Sequence, residues 1–123
     1  MQSTVHPIHP ETVTEVTLVR GSRNFTMVFE RYGKAVFVSV KQDNVPDHCL
    51  QCNKANTEYT ITNAIPTGFR PRRNLFATSD ATASLTYKGV QYWMFKANGE
   101  IVVSSSFAGE QDAIVETSWI TDE

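Results

Sequence analysis

The residues able to do chemistry in this chain are a few aromatics at strand spacing, a tight arginine group and one Cys-x-x-Cys. Trp93, Tyr92 and Trp119 could each offer a ring face to the apolar side of a pyranose. Aromatics at strand period are also ordinary core residues, and both readings stand for these three. Arg70, Arg72 and Arg73 could clamp a phosphate through paired N–H donors. For Arg70 a structural role, donating to the carbonyls of its own turn, is the favoured reading. Asp80 joins these as a carboxylate near a turn.

His48-Cys49-Leu50-Gln51-Cys52 holds two thiols at metal-ligand spacing, with His6 and His9 elsewhere. Tetrahedral zinc wants four such ligands, and strong zinc signals carry two pairs rather than one. His48, Cys49 and Cys52 are therefore weak metal candidates beside ordinary thiols or a local disulfide, and no cofactor is expected. Catalysis finds less support. Asp43, Asp47, Glu58 and Asp80 supply carboxylates in or near loops, but a glycosidase needs two of them across a cleft. No nucleophile elbow, phosphate loop or His-Glu-x-x-His occurs. The expectation is a binding or structural module, not an enzyme.

The elements that must position these residues are strands. No segment of helical length has an apolar 3.6-residue period, while short β-branched and aromatic runs recur between turn residues. Residues 1–12 read as an extended lead-in and 13–123 as one domain. Strands are expected near Val13 to Val19, Phe25 to Glu30, Ala35 to Val40, Glu58 to Thr62, Leu75 to Thr78, Ser84 to Tyr87, Val90 to Ala97, Glu100 to Val103 and Ala113 to Ile120. Phe25, Met27 and Phe29 share one face, as do Val36, Val38 and Val40, and the two runs suit a hairpin. Ser79 to Thr82 reads as a turn, and Lys41 to Thr57 as a long polar loop. About eight strands at this spacing predict an all-β, antiparallel, jelly-roll-like sandwich.

Asn98-Gly99 is the sharpest local signal, because both residues tolerate the positive φ of a two-residue type I′ turn. That turn would pair Ala97 with Glu100, Lys96 with Ile101, Phe95 with Val102 and Met94 with Val103. One hairpin face would then carry Trp93, Phe95 and Val102, and the other Tyr92, Met94, Ile101 and Val103. Two apolar faces imply a core on one side and a second contact, such as another subunit, on the other.

Composition narrows the function classes. Apolar residues make up 41% of the 123, enough for a packed core. A net charge of −2 with scattered acids and bases argues against nucleic acid as the partner. The apolar runs are far shorter than the ~20 residues of a membrane-spanning helix, and no membrane partner is expected. The N-terminal residues lack the basic and apolar regions of a secretory signal.

Ile65-Pro66-Thr67-Gly68-Phe69-Arg70-Pro71 resembles the P-x-G-[YF]-R-P signature common in tail and baseplate proteins of phages that infect Gram-positive bacteria. Arg31-Tyr32-Gly33-Lys34-Ala35-Val36-Phe37-Val38 resembles the family's upstream hairpin. Lys96-Ala97-Asn98-Gly99-Glu100-Ile101 resembles its downstream Asn-Gly hairpin, and Thr117-Ser118-Trp119-Ile120 its terminal strand. The ordered set spans Val13 to Ile120. The resemblance implies a head or appendage domain of a tail fibre or receptor-binding protein. Such a domain would be a homotrimer, would contact other tail or baseplate proteins, and would bind a host cell-wall or capsular saccharide. It would be made in the host cytoplasm and reside in the virion. The Cys-containing segment 41–57 departs from the family pattern, and the family's saccharide contacts are too variable to carry over. The sugar-binding candidates are therefore those nominated by residue type: Trp93, Tyr92, Trp119, Arg72, Arg73 and Asp80. The rival readings are a structural tail domain without ligand, a carbohydrate-binding module of a larger cellular protein, and a small depolymerase.

Overall fold

The structure, a computed structural model, describes residues 10–41 and 48–123. Most of the lead-in, with His6 and His9, and the Asp43 and Asp47 part of the polar loop lie outside the described residues.

Ten strands and no helix form among the described residues. They are β1 (Thr12–Arg20), β2 (Arg23–Tyr32), β3 (Ala35–Val40), β4 (Leu50–Cys52), β5 (Tyr59–Ile61), β6 (Leu75–Ala83), β7 (Thr86–Phe95), β8 (Ile101–Ser105), β9 (Gly109–Gln111) and β10 (Thr117–Ile120). The first sheet has the order β1-β2-β3-β10 and the second β5-β8-β7-β6. Each is a three-strand meander with a strand from far along the chain added to one edge. All pairings are antiparallel. The expected all-β antiparallel sandwich is what the chain forms. A small sheet, β4-β9, sits at the seam, with β4 against β1 and β2 and β9 against β6.

Strand alternation decides what is inside. Phe25, Met27 and Phe29 of β2 and Val36, Val38 and Val40 of β3 point to the core, as their period requires. Trp93 and Phe95 of β7 and Ile101 and Val103 of β8 face them from the second sheet. The aromatic rings run in a continuous chain between the layers. Phe25 meets Trp93 edge-on at 6.0 Å, Trp93 stacks on Phe95 at 6.3 Å, Phe95 packs on Trp119 at 5.2 Å, and Trp119 meets Phe29 at 6.4 Å. Such pairs add about 0.5–1.5 kcal/mol each beyond the area they bury.

The Asn98-Gly99 hairpin forms in a different register from the one expected. Phe95 pairs with Ile101, Met94 with Val102 and Trp93 with Val103. Gly99 N donates to Lys96 O at 2.9 Å, and only Gly99, at φ +93°, is left-handed. This is a type I turn closed by a glycine bulge, not a type I′ turn, so one more residue enters the loop. A shift of one residue exchanges the faces of a strand. Trp93, Phe95, Ile101 and Val103 are therefore all buried, while Tyr92, Met94, Val102 and Ser104 face outward. The expected membership of the two faces fails for that reason, while the outward face still carries Tyr92, Met94 and Val102.

Two other boundaries differ. Ser79 to Thr82 is not a turn but lies inside β6, with small residues inward and polar ones outward. The turn falls at Ser84-Leu85, both at positive φ, so Ser84 to Tyr87 is not one strand. Ala113 to Glu116 contributes buried Ala113 and Val115 without strand pairing, and only Thr117–Ile120 is β-structure.

Candidate functional site

The nominated sugar-binding residues do not converge. Trp93 is 0% exposed and Trp119 7%, with aromatic neighbours packed on both rings. Their indole N–H groups are used internally, Trp93 donating to Gln91 Oε1 at 3.2 Å and Trp119 to Phe69 O at 2.7 Å. Neither has a ring face left for a ligand. Tyr92, 50% exposed, and Asp80 share the outer face of the second sheet. Arg72 and Arg73 are exposed beside the heptapeptide, with Arg72 Nε 3.4 Å from Asp122 Oδ1.

The Cys-x-x-Cys forms no disulfide. Cys52 ends the strand Leu50–Cys52, and Cys49 precedes it. Both side chains are buried, and burial pushes the Cys52 thiol pKa up, against a smaller lowering by Arg20. Among the described residues no cluster of three or more His, Cys, Asp or Glu could hold a metal.

The heptapeptide is a plug at one end of the sandwich. Gly68 takes φ +95°, which a side chain disfavours. Its carbonyl accepts Arg31 Nη1 at 2.6 Å, while Arg31 Nε donates to Gly33 O and Nη2 to Glu123 O. Phe69 enters the core against Phe29. Arg70 Nε donates to Ile65 O at 3.0 Å, the turn-supporting role expected for it. Gly99 packs so closely on Arg70 that an added Cβ would fall 2.6 Å from Nε. The signature thus joins β2, the Asn-Gly hairpin and the C-terminal residues, and its ring and guanidinium are spent on structure.

A concave feature lies on the outer face of the first sheet. It is an open groove of about 770 Å³, lined by Glu30, Tyr32, Phe37, Ser39, Glu116 and Ser118, with Val38 and Thr117 at its floor. Glu30 and Tyr32 come from β2, Phe37 and Ser39 from β3, and Ser118 from β10. All are out of phase with the core residues of their own strands. Glu30 pairs with Phe37 and Phe37 with Ser118, which sets the three side by side across the sheet. Phe37 is 50% exposed, and Tyr32 stands edge-on to it at 5.6 Å and 90°. The Tyr32 hydroxyl donates to Glu30 Oε2 at 2.9 Å, which raises the tyrosine pKa. An exposed ring braced by a second ring, beside carboxylates and serine hydroxyls, can stack a sugar and accept its hydroxyl protons. No residue here was nominated from sequence. The available signal was phase: Phe37 breaks the Val36, Val38, Val40 pattern.

The outer face of the second sheet is flatter and nearly without charge. Phe76 pairs with Met94, Met94 with Val102 and Val102 with Thr60 in one row; Thr78, Tyr92 and Ser104 make the next; Asp80 and Val90 the third. Asp80 is the only Asp, Glu, Lys, Arg or His in these rows. Phe76 is 74% exposed.

Compared with known proteins, the chain matches no family model, no curated protein and no solved structure.

Proposed function

We propose that this chain is a saccharide-binding appendage domain of a phage tail or baseplate, acting as a homotrimer and as a binder, not a catalyst. The observation that carries the reading is the groove on the first sheet, where half-exposed Phe37 stands among Tyr32, Glu30, Glu116 and two serines. Exposed aromatics beside carboxylates and hydroxyls are the groups that recognise sugar rings rich in hydroxyls. The ordered resemblance to Gram-positive phage tail proteins supplies the setting, the virion, and the ligand class, a host cell-wall or capsular saccharide. The charge-poor face around Phe76 and Tyr92 suits contact with further copies or with other tail proteins. An open groove makes each site weak, and several copies on one particle raise the avidity by orders of magnitude.

The test is binding of the purified chain to host cell-wall saccharide, read by calorimetry, with Phe37→Ala alongside. The wild-type chain binds and Phe37→Ala weakens binding about tenfold, roughly 1.4 kcal/mol. Light scattering returns a mass near three times 13.8 kDa. Absence of binding to every host saccharide fraction overturns the reading in favour of a structural tail domain.

A further inference from the structure

We infer that the groove selects a saccharide bearing a free amine and rejects phosphate-bearing polymers; this rests on the saccharide-binding reading above. The lining contains two carboxylates, Glu30 and Glu116, and no Lys, Arg or His. Four carboxylates elsewhere on the molecule find cations: Glu110 pairs with Arg23, Glu15 with Lys41, Asp122 with Arg72 and Glu100 with Lys96. Among the described residues neither Glu30 nor Glu116 joins an ion pair. Among the described residues Glu30 accepts a hydrogen bond only from the neutral Tyr32 hydroxyl.

Four cations on the flanking elements are already held. Lys41, on the same face, lies 3.3 Å from Glu15. Arg31 turns away from the groove and donates to three carbonyls. Arg70 is tied into the plug, and Arg72 to Asp122. A phosphate entering the groove would meet two like charges and no cation in the lining. An ammonium would meet both carboxylates, and the Phe37 and Tyr32 rings would add a cation–π attraction. The ring faces take the body of the sugar, and the carboxylates take its amine.

Calorimetry with three probes tests this: chitosan trisaccharide, its fully N-acetylated counterpart, and polyglycerol phosphate. The free-amine trisaccharide binds about tenfold more tightly than the acetylated one, the usual worth of one charge-assisted hydrogen bond. That gap closes in Glu30→Gln/Glu116→Gln and narrows with added salt, and polyglycerol phosphate does not compete. Equal binding of the acetylated probe, lost in Phe37→Ala, overturns the amine preference and leaves the groove standing. Phe37-dependent binding of polyglycerol phosphate does the same. If no probe and no host saccharide shows Phe37-dependent binding, the groove reading falls and the inference falls with it.

Discussion

Phe37 on the first sheet and Phe76 on the second hold equivalent positions. Each is out of phase with the core residues of its strand, and each points away from the sandwich. Their surroundings differ. Phe37 sits in a groove with Tyr32, two glutamates and two serines. Phe76 lies in a flat row with Met94, Val102 and Thr60, and the one carboxylate of this face, Asp80, is two rows away. One core therefore supports two outer faces of different chemistry. Concavity and unpaired carboxylates suit a small hydrophilic solute, whereas flatness and low charge suit another protein surface. An exposed aromatic alone does not tell these uses apart; its neighbours across the sheet do.

The largest perturbation should strike both faces together. Trp93→Ala removes the ring that links Phe25 to Phe95 beneath them, and should cost about 3–5 kcal/mol in urea unfolding. A smaller loss confined to one face's function would mean that the two sheets do not share one core. Phe76→Glu places a charge in the flat face and should cost about 2 kcal/mol or more per subunit contact. The scattering mass should then drop toward a single chain while monovalent sugar binding stays within a factor of two. Phe37→Ala should do the converse, weakening sugar binding about tenfold with the mass unchanged. A mass change in Phe37→Ala would erase the distinction between the faces.

The smallest effect belongs to the seam. Arg23 on β2 bonds Glu110 on β9, which lowers the Glu110 pKa, mainly through that hydrogen bond and secondarily through the guanidinium charge. A depressed folded-state pKa stabilises the fold above the ordinary carboxylate value, and that stability is lost as pH falls through the lowered value. Glu110→Gln should therefore melt slightly below the wild type at neutral pH and together with it in strong acid. Sugar binding and mass should stay put, since the seam belongs to neither face.

Long alternating runs were legible in the sequence, because β2 and β3 each repeat an apolar residue at every second position and face a packed layer. The short strands were not. Leu50–Cys52 and Gly109–Gln111 are each too brief to show a period, and they exist because Leu50 pairs with the distant Gln111. The Asn-Gly signal located a turn but not its type, since Asn98 keeps a negative φ while Gly99 closes against Arg70. Leu85 at φ +66° carries no sequence signal at all. The site was missed because residue type was weighed before phase. Both tryptophans share the inward phase of their strands, while Phe37 and Tyr32 sit on the outward one.

The order in which the chain is made gives the last strand a special position. Ile120 pairs with Ala35 and Thr117 with Val38, so β3 keeps an open hydrogen-bonding edge until almost the whole domain has left the ribosome. Its meander with β1 and β2 can form early, being local. Closure waits for Trp119, which drops between Phe29 and Phe95 and bonds Phe69 O. An open edge accepts any matching strand. Two chains side by side would meet the same open edge, and β10 would be the segment able to act as a latch exchanged between them.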